Sequence, residues 1–356
     1  MLSDVPIVIP AFEPDERLLD LLRDLNALRM GPVILVDDGS GDQYAPLFDQ
    51  AADLIDKSGQ CAATVLHHSV NRGKGAALKT AFEHVLSHKL STLGVVTADS
   101  DGQHTPSCIA RVVQALRNNQ QALVLGSRNF DGDDVPWKSR MGNKITSHVF
   151  ALVSGVKVSD TQTGLRAVPL PLMEACLDLP GDRFEFEIQM LSLACSKGPI
   201  VEIPIETVYD SKDNHQTHFD PFADSVRIYK ALLRQPLTFV FSSLASSLID
   251  LGLFWLFCRA FVRIPMYVAI STVAARVLSA TFNFFMNSRV VFRGDRAESQ
   301  SAVRYVVLAG IIMLLSAALT TMGTTVLYMV PEVVVKVVVD GLLFVLSYLI
   351  QKRFVF

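Results

Sequence analysis

The sequence predicts a doubly wound α/β domain followed by an all-α transmembrane domain of four helices. Three observations carry that expectation. Short apolar strands alternate with amphipathic helices over residues 1–235, a polar cluster falls where each strand ends, and residues 237–356 hold long apolar runs with few charges. The chain has 356 residues and is 50% hydrophobic, long enough for two domains. A formal net charge of -3 gives no basis for nucleic-acid binding. The five cysteines are scattered without a C-x-x-C pair. That argues against structural zinc and a disulfide framework and fits a reducing compartment. The N-terminal MLSDVPIVIP lacks a basic segment followed by a long apolar one, so no cleaved signal is expected and the first half is expected in the cytoplasm.

The first predicted strand, Val5–Pro10, ends in Ala11-Phe12-Glu13-Pro14 and leads to a helix with Leu18, Leu21, Leu22, Leu25 and Leu28 on one face. The second, Val33–Val36, runs into Asp37-Asp38-Gly39-Ser40-Gly41-Asp42. The third, Ala63–His67, precedes Asn71-Arg72-Gly73-Lys74-Gly75 and a helix over Ala76–His88. The fifth, Ala122–Leu125, ends in Gly126-Ser127-Arg128. A largely parallel sheet of this kind binds ligands beyond the carboxyl ends of its strands, and every one of these clusters lies at such an end. One shared site is therefore expected. No G-x-G-x-x-G follows the first strand, and Gly73-Lys74-Gly75 lacks the Walker spacing, so dinucleotide and P-loop folds are disfavoured.

The fourth strand, Leu93–Thr97, carries the centre of the site. It runs into Asp99-Ser100-Asp101-Gly102-Gln103-His104. Two carboxylates at the end of a buried strand lose hydration without an evident partner. A divalent cation solves that problem, since Mg²⁺ or Mn²⁺ takes oxygen ligands and bridges carboxylates to substrate phosphates. An acidic turn capping the helix near Pro106 is the plainer alternative, and the surrounding clusters weigh against it.

VIPAFEPDERL, ILVDDGSGD, NRGKGAAL, TADSDGQH, VLGSR, SRMGNKI, DTQTGLRA, RFEFEIQML and IPIETVY, in this order, resemble the family 2 glycosyltransferases of GT-A fold. The likeness is greatest to the polyprenyl-phosphate (dolichol-phosphate type) sugar transferases. Phe12-Glu13-Pro14 departs from the family's usual Tyr-Asn-Glu or Tyr-Asn-Pro. The resemblance implies that Pro10, Ala11, Phe12 and Glu13 line the nucleoside pocket, with Asp38 on base or ribose. Asp37 either shares that role or caps the next helix. Asp99, Asp101 and Gln103 are implied to hold Mg²⁺ or Mn²⁺ on the donor diphosphate, with Ser100 and Lys74 in the same donor site; for Lys74 a solvated lysine in a turn is the alternative. Arg128 and Arg140 are implied to bind the acceptor's lipid phosphate, a task suited to a guanidinium fork; for Arg140 a surface helix residue is an equal alternative. Asp160 and Gln162, in the Asp160–Gly164 turn, are implied to contact sugar hydroxyls, against a plain turn-forming role. Within Phe184–Ala194, one of Glu185 and Glu187 meets the site and the other pairs with Arg183 or Arg166, in either assignment.

An ionised lipid phosphate needs no general base, whereas a sugar-hydroxyl acceptor needs a carboxylate, for which Asp160 or Glu187 would serve. Trp137 and Trp255, the two tryptophans, lie outside any Q-x-x-R-W motif, which counts against a polymerase. DTQTG resembles the glucose-transferring members more than the mannose-transferring ones, favouring UDP-glucose over GDP-mannose as donor. Two other functions are kept in view: a lipid-linked-sugar transporter with a regulatory sugar-binding domain, and a transferase acting on a hydroxyl.

The expected boundaries are a catalytic domain over 1–220, an amphipathic interfacial helix over 221–235, and a membrane domain over 236–356. Tyr209–Asp220 reads as an irregular loop resembling the one over the family's acceptor opening. The helix after it sets Phe222, Val226, Tyr229, Leu232 and Leu233 against Arg227, Lys230 and Arg234, as at a membrane surface. Four apolar spans follow, near 237–258, 265–288, 303–329 and 333–350, each about the length that crosses a bilayer. Flanking bases at Lys230, Arg234, Arg289, Arg293, Arg296, Arg304, Lys352 and Arg353, against Arg259, Arg263 and Lys336 on the outer connections, predict cytoplasmic termini in a multi-pass plasma-membrane protein. Oligomerisation is left open. Asn287–Phe292 repeats as Gln351–Phe356, and this half resembles a GtrA-type membrane domain. The offset of 64 sets Arg276 opposite Asp340, so these two deep charges are expected to pair, with Asp250 as the competing partner.

Overall fold

The computed structural model describes residues 4–57, 63–130, 137–206, 220, 222–292, 298–327, 329–330 and 332–356. The expected loop over 209–220 lies outside them except for Asp220, as do Arg293, Arg296 and the side chain of Lys336. The chain forms two compact units, Met1–Leu232 and Leu233–Phe356.

In the first unit, β1 (Ile7–Ala11), β2 (Val33–Asp37), β3 (Thr64–His67), β4 (Gly94–Thr97) and β5 (Leu123–Arg128) stand where the apolar runs predict strands. They alternate with α1 (Glu16–Ala27), α2 (Ala45–Lys57), α3 (Lys74–Ser87) and α4 (Pro106–Asn118), and α5 (Trp137–Ser154) follows β5. Helix starts are fixed locally. The Asp15 carboxylate caps α1 by accepting from the Arg17 N–H, and Thr105, followed by Pro106, caps α4. Leu18, Leu19, Leu21, Leu22 and Leu25 of α1 are buried, each contributing roughly 1.5–3 kcal/mol of apolar burial. They pack with β1 and with Ile109, Val112, Val113 and Leu116 of α4 in one core.

The sheet is largely parallel, as expected, with one strand reversed. It has seven strands in the order β3-β2-β1-β4-β6-β5-β7, adding β6 (Arg166–Pro169) and β7 (Ile200–Ile205). β6 runs antiparallel to β4 and β5. Strand β6 is short, with Arg166 and Pro169 at its ends, and β7 contains Pro204, so neither shows the apolar run that marks the others. Between β6 and β7 lie α6 (Leu170–Cys176) and α7 (Glu185–Lys197). The order places the topological switch between β1 and β4. Because β6 is reversed, the turn preceding it, Asp160–Leu165, lies at the same sheet edge as the ends of the parallel strands.

α8 (Ala223–Ala260), which begins in the first unit and continues in the second, unites the expected interfacial segment and first apolar span in one helix. The unit boundary falls beside Leu232, whose carbonyl cannot receive the usual helical N–H because Pro236 has none. α9 (Tyr267–Met286), α10 (Glu298–Val326) and α11 (Glu332–Ile350) follow. Among the described residues, α8 is long and apolar enough to cross a membrane by length and composition, and Gln300–Ser316 is a shorter apolar stretch.

The internal repeat is physical. Both α9 and α11 end in a π-helical turn, Asn287–Val291 and Gln351–Val355. The equivalent residues Asn287 and Gln351 hydrogen-bond to each other at 3.0 Å. Equivalent Phe292 and Phe356 stack at 5.2 Å. Phe284 meets Phe356 at 5.7 Å while its counterpart Tyr348 meets Phe292 at 5.9 Å. Such reciprocal contacts define a two-fold relation between the helical hairpins.

The expected Arg276–Asp340 pairing does not form. Arg276 lies 3.4 Å from Asp250, the competing partner, and Asp250 also accepts from Ser279 at 2.8 Å. Asp340 accepts from Ser316 at 2.6 Å. The repeat explains the difference: equivalent positions on the second and fourth helices lie across the two-fold relation, whereas Asp250 is on the helix adjacent in sequence.

Candidate active site

The donor-side elements are tied together at the strand ends. Pro10 and Ala11 are buried in β1, and Glu13, at φ 48°, donates its N–H to Ser40 Oγ at 2.8 Å. Ser40 in turn donates to Asp37 Oδ1, and the other Asp37 oxygen meets His67 Nδ1 at 3.1 Å. Phe12 follows between these groups. Asp38 is buried and committed within the protein: His68 Nδ1 lies 2.7 Å away, and the Arg72 and Gly73 N–H groups donate to its two oxygens. It thereby shapes the loop that delivers Lys74.

Gly73 and Gly75 bring that loop down onto the segment before α7. A Cβ on Gly75 would meet Phe186 Cβ at 2.6 Å, and the Ala76 N–H donates to the Asp182 carbonyl. Lys74 Nζ consequently reaches Asp99 Oδ1 at 2.7 Å and Glu187 Oε1 at 3.1 Å. Burial alone would neutralise this lysine, but Asp99 and Glu187 outweigh it and hold the ammonium above its ordinary value. Burial likewise acts against the Asp99 anion, and the Lys74 ammonium overcomes it, leaving the carboxyl far below its ordinary value.

Asp101 behaves in the opposite way. Burial and the nearby Asp99 charge raise it, although the Gln103 N–H donates to its Oδ1 at 3.0 Å. His104 is buried, and its Nδ1 accepts the Asp99 N–H at 3.1 Å. Burial lowers its affinity for a proton despite Asp99 and Asp101, and because Nδ1 accepts a hydrogen bond the neutral ring carries its hydrogen on Nε2. The 4.0 Å approach of its Nδ1 to Asp99 Oδ2 is accordingly not an ion pair. Sequence reasoning gave His104 no role; its place three residues beyond the Asp-x-Asp was the available signal.

Opposite these groups, Arg128 and Asp160 form a two-pronged pair, Nε to Oδ2 at 2.7 Å and Nη2 to Oδ1 at 3.0 Å. The Asp160 side chain is fully buried. Asn143 of α5 clamps the same turn, donating to the Ser159 carbonyl at 2.7 Å and accepting from the Thr161 N–H. Gln162 donates its backbone N–H to Asp160, and Arg140 sits half-buried on α5. Gly164 is where the turn meets Asp99: a Cβ there would overlap the Asp99 carboxylate.

Arg166 joins the halves. It is 1% exposed and donates to the carbonyls of Thr163, Thr161 and Glu187. The two α7 carboxylates separate, but not into a site acid and an arginine partner. Glu187 meets the site and also stands 4.0 Å from Arg166, whereas Glu185 accepts from the Asp182 and Arg183 N–H groups at the start of its own helix. Among the described residues no three His, Cys, Asp or Glu side chains already converge as a metal cage.

A switch-point cleft with acids on one strand end and a carboxylate-held arginine on the next defines a transferase of GT-A architecture. Known proteins agree. Residues 7–166 match glycosyl transferase family 2, and residues 229–356 match the GtrA/DPMS transmembrane domain. An uncharacterised protein of Methanocaldococcus jannaschii is 30% identical over 212 residues, 58% of this chain and 82% of the relative. A UDP-N-acetylglucosamine–dolichyl-phosphate N-acetylglucosaminyltransferase of Methanococcus voltae is 28% identical, over 57% and 85% of the two chains. A polyprenol monophosphomannose synthase of Mycolicibacterium smegmatis is 30% identical, over 56% and 75%. The chain belongs to glycosyl transferase family 2, as a glycosyltransferase carrying a GtrA/DPMS membrane domain.

Proposed function

We propose that this enzyme transfers a hexose, with inversion, from a nucleotide sugar to polyprenyl phosphate at the cytoplasmic face of the plasma membrane. The observation that carries the acceptor class is the state of the two candidate bases. Asp160 is buried under the Arg128 fork, and Glu187 is shared by Lys74 and Arg166. Both Asp160 oxygens are taken by the Arg128 fork and Glu187 Oε1 by Lys74, so neither carboxylate is set out to meet an incoming hydroxyl, and a hydroxyl acceptor would lack its base. A lipid phosphate is already ionised and needs none. The names of the relatives in M. voltae and M. smegmatis, with dolichyl phosphate and polyprenol as acceptors, support the same reading.

Arg128 and Arg140 bind the acceptor phosphate in this proposal, while Asp160 and Gln162 shape the turn beside the donor sugar. Pro10, Ala11, Phe12, Glu13 and Asp37 line the nucleoside side. Asp99, Asp101 and Gln103 would hold Mg²⁺ or Mn²⁺, and the fit lies in Asp101, whose charge burial and Asp99 disfavour until a cation arrives. That cation would neutralise charge on the departing nucleoside diphosphate. Lys74, kept charged in the same place, is aimed at the same oxygens. UDP-glucose is the favoured donor, on the likeness of Asp160–Gly164 to glucose-transferring members. Residues 1–220 act as the catalytic domain, 221–235 lie at the interface, and 236–356 cross the bilayer four times with both termini inside.

The test is a transfer assay with purified protein in detergent, undecaprenyl phosphate, Mg²⁺ or Mn²⁺, and a panel of labelled nucleotide sugars. Label should enter the organic phase from one donor and stop with EDTA or Asp101→Ala. Transfer to a sugar hydroxyl, with none to the lipid phosphate, would overturn the proposal.

A further inference from the structure

Among the described residues, the first unit holds three non-glycine residues at positive φ: Glu13 at 48°, Arg29 at 52° and Lys89 at 52°. Arg29 and Lys89 stand directly after the C-cap residues of α1 and α3, where a left-handed residue is a usual way for a helix to end. Glu13 has no such reason, since it follows β1 and precedes α1. Glycine or asparagine would take a positive φ there at less cost, and Pro14 favours extended backbone in the residue before it. Strain of this kind persists where surrounding contacts impose it, and it gathers at ligand sites. Here the Glu13 N–H donates to Ser40 Oγ at 2.8 Å and the Ser40 N–H to Asp37 Oδ1 at 2.9 Å, which locks the ends of β1 and β2 together.

The three carboxylates at these strand ends are not equivalent. Asp37 meets the Ser40 N–H with one oxygen and His67 with the other. Asp38 is buried against His68 and the Arg72 and Gly73 N–H groups. The half-buried Glu13 carboxylate makes no hydrogen bond or ion pair among the described residues. Of the three, Glu13 alone keeps its acceptors for a ligand. A carboxylate accepts and cannot donate, and its two oxygens suit two adjacent hydroxyls. The vicinal 2′- and 3′-hydroxyls of a ribose are such a pair. A uracil edge is not, because it sets one N–H between two carbonyl oxygens that would repel a carboxylate.

We infer that Glu13 is the ribose-specificity residue of the donor site. Its carboxylate accepts from the 2′- and 3′-hydroxyls, and the left-handed turn is kept, at some loss of stability, to deliver it. The ribose contact expected of Asp38 thereby passes to Glu13. This rests on the proposed nucleotide-sugar donor.

The experiment measures UDP and 2′,3′-dideoxy-UDP binding to the full chain in detergent by calorimetry with Mn²⁺, alongside thermal unfolding. Wild type should bind UDP roughly tenfold or more tightly than the dideoxy compound. Glu13→Gln and Glu13→Asn should each cut that preference about fivefold or more, with the loss falling on UDP. Asparagine tolerates a positive φ, so Glu13→Asn should also melt about 2 °C above wild type, whereas Glu13→Gln should not. A preference for UDP that survives in both variants overturns the proposal. So does a loss that falls equally on the two nucleotides, or a Glu13→Asn chain that melts below wild type. Wild type that binds neither nucleotide overturns instead the donor assignment beneath it.

Discussion

Lys74 and Asp99 form a half-buried ion pair at 2.7 Å, and Glu187 shares the same ammonium at 3.1 Å. One cation thus serves two carboxylates from different parts of the chain. Lys74→Met would strand both acids at a cost of about 3 kcal/mol, the low end for breaking a buried pair because Asp99 keeps some water. The melting temperature of the catalytic unit should fall by on the order of 10 °C. Lys74→Met combined with Glu187→Gln should recover part of that loss, because one stranded charge is gone. Thermal unfolding of the two variants checks it, and equal destabilisation would mean that Glu187 does not depend on Lys74.

The same pair sets a pH window. Asp99 lies below its ordinary value of 3.8, so its contribution is complete above that pH and is lost as pH falls through the folded value. Lys74 lies above 10.5, so its contribution is complete below that pH and is lost as pH rises through the folded value. The stability difference between wild type and Lys74→Met should accordingly stay flat from about pH 5 to 9 and shrink only beyond both limits. Melting curves across that range, in EDTA, read it directly.

Gly164 has no positive φ, so alanine fits its backbone; the obstruction is the Asp99 carboxylate. Gly164→Ala should displace Asp99 while leaving the fold nearly intact. Misplacing a positioning group by about 1 Å costs on the order of 100-fold in rate, and kcat/KM should fall by about that factor. Nucleotide-sugar affinity should weaken in parallel, measured by titration in the presence of Mn²⁺. A variant with normal kinetics would show that Asp99 has room to move.

Much of this was legible in the sequence, for reasons tied to particular residues. Strand ends are marked by abrupt apolar-to-polar changes, as at Thr97–Asp99 and Val36–Asp38, and those changes located the cleft. Strand β6 was not legible, because Arg166-Ala167-Val168-Pro169 has no pattern of its own and is held by pairing with β4 and β5. Nor was the division of labour among acids. Asp38, Asp160 and Glu187 look alike in sequence, and only their surroundings make the first a loop anchor, the second an Arg128 holder and the third a Lys74 partner. The repeat announced the Asn287 and Gln351 turns, but an alignment offset gives equivalence, not contact, which is why Arg276 met Asp250.

Asp160 offers a division between two mechanisms. If it holds Arg128 for the acceptor phosphate, Asp160→Asn keeps the shape and loosens the guanidinium. The KM for polyprenyl phosphate should then rise about 10–100-fold with a smaller change in kcat, as when supporting groups behind a ligand-binding residue are removed. If it were a general base, kcat would drop by roughly 100-fold or more with KM little changed. Steady-state kinetics in lipid phosphate at saturating donor separates the two.

The Asn287–Gln351 bond at the centre of the repeat makes a final prediction about the membrane unit. Asn287 accepts from Ser242 and donates to Asn283 and Gln351, while Gln351 donates to Ser347. Tyr305 adds the remaining helix by donating to Asn283 at 2.9 Å. Each of the four helices thus contributes a polar side chain to one buried network, where an orphaned amide has no water to turn to. Polar contacts between membrane helices are individually modest, roughly 0.6 kcal/mol on average and about 1.7 at most. Asn287→Ala and Gln351→Ala should each destabilise the unit, and the double variant should cost less than the two added together by about that amount. Equilibrium unfolding in mixed detergent over the full double-mutant cycle measures the coupling. Strict additivity would mean that the two equivalent residues touch without holding the hairpins together.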